Sequence, residues 1–483
     1  MLSPNFQGAA PETTFSDEWS SDICSQKINT YVKSVRVLRK PFPTHDCERR
    51  RLENPPLLKT RPGIATMTTT RKPILISGAG LCGLLVARSL QTHDIPFIVY
   101  ERDFSFDQRA QGYRLRMSTQ GLDAIESILP PEDWTVFRDG VAVTRGGGLQ
   151  LVDAITGEKI AGPPSSGGET KKGGSVLLEG LGPNGEIYGV ARGDLRKSLM
   201  KGLEDKVEYG KTVIRYTVTD EGVTAHFSDG TSSPEGCLLV GADGVASYIT
   251  KQLTNGENKV FDTGARMIPG QTSTTAFKSL GEGVYSITDL TRGGNKALRL
   301  ICNVRPKDMD DPSINFAWTL AGAPGTIDAP GDRYNVVGKA AADLSTELTR
   351  DWAPALRKIF TEQIVEEAGF WKVTTSDPEG VKEWVNEPRV TIVGDAVHSM
   401  APAGANGANT ALQTAAMLGR ILRKGGGWTD EVTKRFEEEM RPLASRNIKA
   451  SFEIACQMFG VTELKECLVF ASPTASGNSS TVQ

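Results

Sequence analysis

From Pro73 onward the chain alternates short, wholly apolar runs with longer amphipathic ones. "PILIS" (73–77) is continuous enough for a strand buried on both faces, as in a parallel sheet. "LCGLLVARSLQTH" follows, with Leu81, Leu84, Leu85 and Leu90 at helical spacing, and "PFIVYER" is a second buried strand. "ARGDLRKSLMKGLE" has a helical pattern. "VEYG", "VIRYTVTD" and "GVTAHFSDG" then alternate like an antiparallel meander. "CLLVGADG" and "RVTIVGDA" are further apolar strands that each run into a Gly-Asp or Asp-Gly turn. Between them, "ALRLICNV" and "INFAWTLAG" read as sheet strands. In the second, Phe316 and Trp318 share a face that either lines a site or packs in the core. Helical patterns dominate from Thr410 to Lys465.

The order strand, helix, strand, then a meander, then more apolar strands, predicts an α/β chain in which two sheet systems are interleaved. Residues 1–66 stand apart as a disordered leader. The leader lacks the apolar core of a signal peptide, and its acidic residues count against a transit peptide. Met67 opens a natural start for a globular domain, and the Ser/Thr-rich segment 472–483 reads as a disordered tail. The segment 142–189 is punctuated by Gly and predicts a long, irregular excursion.

Composition narrows the field only a little. A chain of 483 residues has room for two packed domains, and a net charge of −3 implies no polyanionic partner, hence no nucleic acid. The seven cysteines (24, 47, 82, 237, 302, 456 and 467) form no CxxC and no metal-like spacing, with Cys82 and Cys237 expected as small core residues. That usage fits a reducing, cytoplasmic compartment, and no apolar run is long enough for a membrane span.

Candidate chemistry begins at Gly78, Gly80 and Gly83, a GxGxxG between a predicted strand and a predicted helix. The first glycine permits a tight turn, the second lets backbone approach a pyrophosphate, and the third lets the helix pack closely on the sheet. The helix start adds unpaired N–H groups and the positive end of a dipole. Glu101 ends the next strand, 18 residues after Gly83, where a carboxylate would bind an adenosine ribose and repel a 2′-phosphate. Asp395 ends a later strand, at the crevice where α/β sheets bind ligands, and can accept hydrogen bonds from a polyol such as a ribityl chain. Past it, Gly404, Ala405, Gly407 and Ala408 offer almost no side chain. A helix expected to begin near Asn409 would aim its N–H groups at negative charge on a planar ring.

These motifs, in this order, resemble the single-component FAD-dependent aromatic hydroxylases, the group that includes p-hydroxybenzoate, salicylate and kynurenine hydroxylases. The residues that carry the resemblance are Gly78 to Gly83 with Glu101 and Arg102, the pair Asp243 and Gly244, and Gly394-Asp395 continuing through His398, Pro402, Gly404, Gly407 and Asn409. It runs from about residue 73 to about 455, and "QGYRLRM" and "VARGDLRKSL" look like family segments. By it, Arg192 would contact FAD, while Arg114 fits either FAD contact or the sheet surface. Two positions depart from the family pattern. Thr250, followed by Lys251, stands where an Arg usually closes the Asp-Gly motif, and Thr414-Ala415 stands where an Asp-Ala pair is usual.

The resemblance implies a Rossmann-like FAD-binding domain interleaved with a mixed or antiparallel-sheet substrate domain, followed by C-terminal helices. On this chain the FAD-binding part would comprise 67–200, 237–258 (the Asp-Gly segment) and 386–425 (the Gly-Asp segment). Strands of the substrate region would occupy 201–236 and the substrate domain 259–385, with C-terminal helices at 426–471. Strands from about 205–230 and 260–322 would cover the flavin as a lid. The implied cofactor is FAD, with NADPH or NADH as transient co-substrate. The implied reaction hydroxylates an aromatic or other electron-rich small molecule with O2 through a flavin C4a-hydroperoxide, a chemistry at home in secondary metabolism. The implied cofactor-binding set is Gly78, Gly80, Gly83, Glu101, Arg102, Arg114, Arg192, Asp243, Gly244, Asp395, Gly404, Gly407, Ala408 and Asn409. Such chemistry centres on the flavin and needs no catalytic dyad, leaving His398 and Pro402 as candidates near the ring, with a structural role for His398 the alternative. No metal is implied, and the protein would act as a monomer or homodimer.

Other readings compete. Epoxidation or reduction by the same fold stays open. A halogenase of this group would carry WxWxIP and a disulfide reductase CxxxxC, and the chain has neither string. A dinucleotide-binding protein without catalysis would have no use for the flavin cradle around Asp395.

Overall fold

The computed structural model describes residues 71–106, 114–144, 149–160, 186–293, 296–305, 308, 311, 314–328, 330–332 and 335–470. The leader 1–66, Met67, the tail 472–483 and much of the Gly-rich part of 142–189 lie outside the described residues. Chain order starts with β1 (Ile74–Ser77), α1 (Leu81–Gln91), β2 (Phe97–Glu101), β3 (Arg114–Met117), α2 (Thr119–Glu126), α3 (Pro131–Asp139), β4 (Ala142–Thr144), β5 (Leu149–Asp153), β6 (Ile187–Ala191) and α4 (Arg192–Met200). It continues with β7 (Val207–Tyr209), β8 (Val213–Val218), β9 (Val223–Phe227), β10 (Leu238–Gly241), α5 (Tyr248–Leu253), β11 (Val260–Ser273), β12 (Gly283–Asp289), β13 (Leu298–Val304) and β14 (Asn315–Gly322). β15 (Asn335–Val337), α6 (Lys339–Leu348), α7 (Pro354–Thr361), β16 (Gly369–Ser376), β17 (Val390–Ile392), α8 (Asp395–His398), α9 (Asn406–Lys424), α10 (Val432–Phe459) and β18 (Leu468–Val469) complete it.

β1, β10 and β17 are wholly buried, as continuous apolar runs should be when both faces of a sheet are covered. They join β2 and β7 in a parallel sheet of order β17-β10-β1-β2-β7. Successive connections leave β1 in opposite directions, toward β2 on one side and β10 on the other, so a crevice opens at the carboxyl ends of these strands. α1 packs on α9, and both pack their apolar faces into the core of this sheet. A three-stranded sheet, β3-β6-β4, stands beside it.

The second system is an eight-stranded sheet, β15-β16-β11-β14-β13-β12-β5, with β18 also pairing β11. It is antiparallel except where β5 runs parallel to β12. Alternation along its strands sends Ile268, Leu300, Phe316, Trp318 and Leu320 to one face, where they pack with Leu356, Ile359 and Phe360 of α7. Trp318 and Phe316 therefore belong to a core and not to a ligand wall. The Trp318 indole N–H donates to Thr272 Oγ1 at 2.8 Å, and its ring meets Phe360 edge-on at 4.9 Å between centroids. No described helix is long and apolar enough to cross a membrane.

Several elements differ from expectation. Val207–Tyr209 does not open an antiparallel meander; it pairs parallel with β2 at the edge of the first sheet. β8 and β9 form a separate hairpin, and Val213, Tyr216, Val223, Ala225 and Phe227 join the parallel sheet's core, with Phe227 against Tyr100 at 4.7 Å. The segment 201–236 thus packs with the parallel sheet, because alternation reports a half-buried strand but not its partner. The segment 142–189 supplies three strands, and β5 crosses to the edge of the large sheet. α9 begins at Asn406, one turn earlier than expected, because the small-residue stretch itself forms the first turn.

Replacing Trp318 with Ala should lower stability in denaturant unfolding by about 3–5 kcal/mol, since a fully buried ring and its hydrogen bond are both lost.

Candidate active site

The carboxyl ends of β1, β2, β10 and β17 open into a single cavity of about 860 Å3, at the upper end of small-molecule sites, which run to roughly 1,000 Å3. Its wall includes Gly78, Gly80, Glu101, Arg102, Arg192, Asp243, Gly244, Asp395, Pro402, Gly407 and Ala408 from the residues anticipated in sequence.

The turn after β1 is held at both backbone polar groups of one residue, Ala79. Glu101 Oε2 accepts the N–H of Ala79 at 2.7 Å and Oε1 accepts that of Asp103 at 3.0 Å. Arg196 Nε donates to the Ala79 carbonyl at 3.0 Å and Nη1 to that of Phe106 at 2.7 Å. Gly78 adopts φ +106, and a Cβ on Gly83 would collide with the Gly78 carbonyl oxygen. Gly83 accordingly packs α1 against the turn and stays off the cavity wall. Gly80 has open space where a side chain would be, so backbone and ligand can approach there.

Two carboxylates face the cavity from the other strands. Asp395, the first residue of α8, is exposed to the cavity yet enclosed by protein. Burial raises its pKa above the ordinary carboxylate value, and the nearby Arg192 guanidinium offsets part of this. Asp243 follows β10, and burial pushes its pKa up to about 6, against opposing hydrogen bonds from Ser247 and backbone and the charge of Arg102. Its Oδ1 is buried with no hydrogen-bond partner, on a residue that lines the cavity. The start of the 19-residue α9 completes the wall: Ala405, Gly407, Ala408 and Ala411 line it. Ala405 is in the left-handed region at φ +61, a conformation that costs a non-glycine residue about 1 kcal/mol or more.

Two further anticipated residues, Asn409 and Gly404, face away from the cavity. Asn409 faces the protein: Oδ1 accepts the Ser118 N–H at 2.9 Å, while Nδ2 donates to the carbonyls of Arg116 at 2.9 Å and Ala405 at 2.7 Å. It ties β3 and α2 to the first turn of α9 and does not line the cavity. Gly404 faces Ile454 of α10, because the backbone turns away from the cavity before α9. Arg114 lies in β3, paired with Ala191, and its side chain lies outside the described residues.

His398 is fully buried and off the cavity wall, unlike Pro402. Its Nε2 is 3.1 Å from Thr414 Oγ1, which itself lies 3.1 Å from the Ala411 carbonyl. One hydroxyl proton serves the carbonyl, so the imidazole donates from Nε2. Burial lowers its pKa to about 4. The other departure from the family pattern binds the same short helix: Thr250 Oγ1 donates to the Ala396 carbonyl at 2.7 Å. Both threonines bring uncharged hydroxyl groups to α8.

The structure adds wall residues that the sequence reading did not name. Arg196 is one helical turn beyond Arg192, a spacing that would have revealed it, and Arg116 alternates with Arg114 in β3. Lys211, Thr212, Val213, Ile214 and Ser228 line the cavity too. The Lys211 N–H donates to the Glu101 carbonyl at 2.8 Å, which places this part of the expected lid at the Glu101 end. Cys82, expected in the core, is on the wall as well.

A family described as FAD binding domain matches residues 185–451. The dual O-methyltransferase/FAD-dependent monooxygenase CTB3 of Cercospora beticola is 30% identical over 451 residues, covering 86% of this chain and 49% of the relative. The dual O-methyltransferase/FAD-dependent monooxygenase elcB of Phaeosphaeria nodorum is 32% identical over 449 residues, covering 82% and 47%. The chain spans about half the length of these curated relatives. Klebsiella pneumoniae HpxO, solved with FAD and uric acid, shares the fold with a TM-score of 0.58 at 19% identity, covering 80% of this chain and 89% of that one.

The buried imidazole predicts a pH dependence. Its ordinary value is near ~6.5 and its folded value about 4. The neutral form stabilises the fold above the first value, and that contribution is lost as pH falls toward the second, by roughly 3 kcal/mol. His398→Gln should flatten the loss of stability between neutral pH and about 4.5, measured by urea unfolding. FAD affinity at neutral pH should stay within about twofold of the parent, and a tenfold loss would return His398 to the site.

Proposed function

The chain belongs to the FAD binding domain family, and from that membership we propose that it is an FAD-dependent monooxygenase that hydroxylates an electron-rich aromatic small molecule with NAD(P)H and O2. The observation that carries this reading is a flavin-type cradle, Asp395 with the start of α9, in the same cavity as the phosphate turn and roofed by a second sheet. A pure adenosine binder would need only the first half of that cavity.

The residues present fit FAD. Gly80 leaves the room a pyrophosphate needs, and Arg192 and Arg116 bring positive charge to the wall. Glu101 has its carboxylate anchored by two amides and keeps further lone pairs for ribose hydroxyls. The Asp243 and Asp395 carboxylates supply acceptors that suit hydroxyl donors of a polyol. The α9 start offers backbone N–H groups and a positive dipole end to negative charge on the ring, with no acidic residue in its first turn to oppose it. When bound, FAD supplies the redox step with NAD(P)H and the transfer of one oxygen atom from O2.

The chain's own contribution is placement and exclusion of water. Small residues at 407 and 408 let a planar ring lie against backbone. Met267, Ile301, Thr319, Ala321 and Trp371 of the large sheet close the opposite side with mostly apolar surface. That surface strengthens the electrostatic interactions of the cradle and keeps bulk water from the reacting atoms.

Purified protein should be yellow, and Asp395→Ala should weaken FAD binding by about tenfold or more, followed by flavin absorbance after gel filtration. An aromatic substrate should accelerate NAD(P)H oxidation and gain one atom of 18O from labelled O2, read by mass spectrometry. A colourless protein that takes up no added FAD would refute the reading.

A further inference from the structure

Building on the monooxygenase reading, we propose that the substrate is an uncharged hydroxyaromatic compound and not an aromatic carboxylate. The argument starts from strand register. Met267 is directly opposite Ala321 on one neighbouring strand and Trp371 on the other, and Ile301 is opposite Thr319. These five side chains share the cavity-facing side of the sheet, while the alternate positions Ile268, Leu300 and Leu320 are sealed in the opposite core. Phe459, at the end of α10, and Met400 add apolar surface to the same cavity.

The cavity is therefore electrically lopsided. Its cations, Arg102, Arg116, Arg192, Arg196 and Lys211, all come from the neighbourhood of the parallel and three-stranded sheets. Among the described residues, the large sheet contributes no charged side chain to the wall, and its polar members there are Thr319 and Asn335. Arg299 is the nearest exception in register, opposite Ala321 on the same face. Its Nη1 donates to the Met458 carbonyl at 3.0 Å and its Nε to Thr288 Oγ1 at 3.2 Å, which anchors it under the end of α10 and off the wall.

A carboxylate moved from water onto this wall would lose its hydration with no cation to replace it. A neutral phenol needs one or two hydrogen bonds, which a hydroxyl and an amide can supply. Indole and thioether groups also suit an aromatic face. The wall thus selects by charge as much as by shape.

The test is calorimetric titration of the full chain, FAD-loaded, with 2-naphthol and 2-naphthoate near neutral pH. These probes have similar fused rings, and only the second is anionic. Naphthol should bind at least about tenfold more tightly. Placing a cation on the wall, by Met267→Arg or, should that variant misfold, Ile301→Arg, should narrow or invert the ratio. Equal or tighter binding of naphthoate by the parent protein overturns the proposal, and so does binding of neither probe. The titration needs no turnover and can be repeated without FAD. A protein that prefers naphthol but inserts no oxygen would fail the monooxygenase reading and keep this one. A protein that prefers naphthoate and still hydroxylates would do the reverse.

Discussion

The carboxylate of Glu101 accepts the backbone N–H groups of Ala79 and Asp103, and the buried Arg196 guanidinium donates to the Ala79 carbonyl. Charge-assisted bonds of this kind are stronger than neutral ones and fix the turn between β1 and α1 before any ligand arrives. The strand that ends in Glu101 also accepts, through its carbonyl, the N–H of Lys211, so the hairpin of β8 and β9 is hung from the same point. One residue thereby sets the glycine turn, the end of the second strand and the wall beyond it. The rest of the cavity is arranged around that fixed edge.

A second constraint operates at the start of α9. Asn409 has its amide saturated by backbone from two elements besides its own helix, so the first turn of α9 is carried by β3 and α2. Behind that wall, α8 is met by Thr250 and Thr414, and its His398 is buried and neutral. Neutral groups in that layer avoid the desolvation cost of a buried charge. The raised pKa of Asp395 and of Asp243 then reflects burial at the cavity itself, where ligand donors can compensate for it. Polar strain is concentrated where a ligand resolves it.

The two sheets divide the work by their topology. Parallel strands deliver loops, helix starts and charges to a common edge, which suits a charged dinucleotide. The antiparallel sheet delivers alternating side chains, one face to a core and the other to the cavity, which suits an apolar partner. Joining them yields a cavity that is ionic at one end and nearly uncharged at the other.

The sequence by itself determined the strand ends and what they carry. Gly78, Glu101, Asp243 and Asp395 were legible because each follows an apolar run, and parallel strands in one sheet necessarily gather their carboxyl ends. Only the tertiary structure decided which neighbouring residues face the cavity. Asn409 and Gly407 belong to the same motif, yet one faces Ser118, 291 residues away in the chain, and the other faces the cavity. His398 turned inward because Thr414, on a different helix, offered its hydroxyl. Strand partners were equally hidden, since "VEYG" joined a parallel edge and the hairpin after it packed with the wrong side of expectation. Local patterns encode periodicity and backbone freedom, whereas the direction of a polar side chain depends on partners that only long-range packing brings within hydrogen-bond distance.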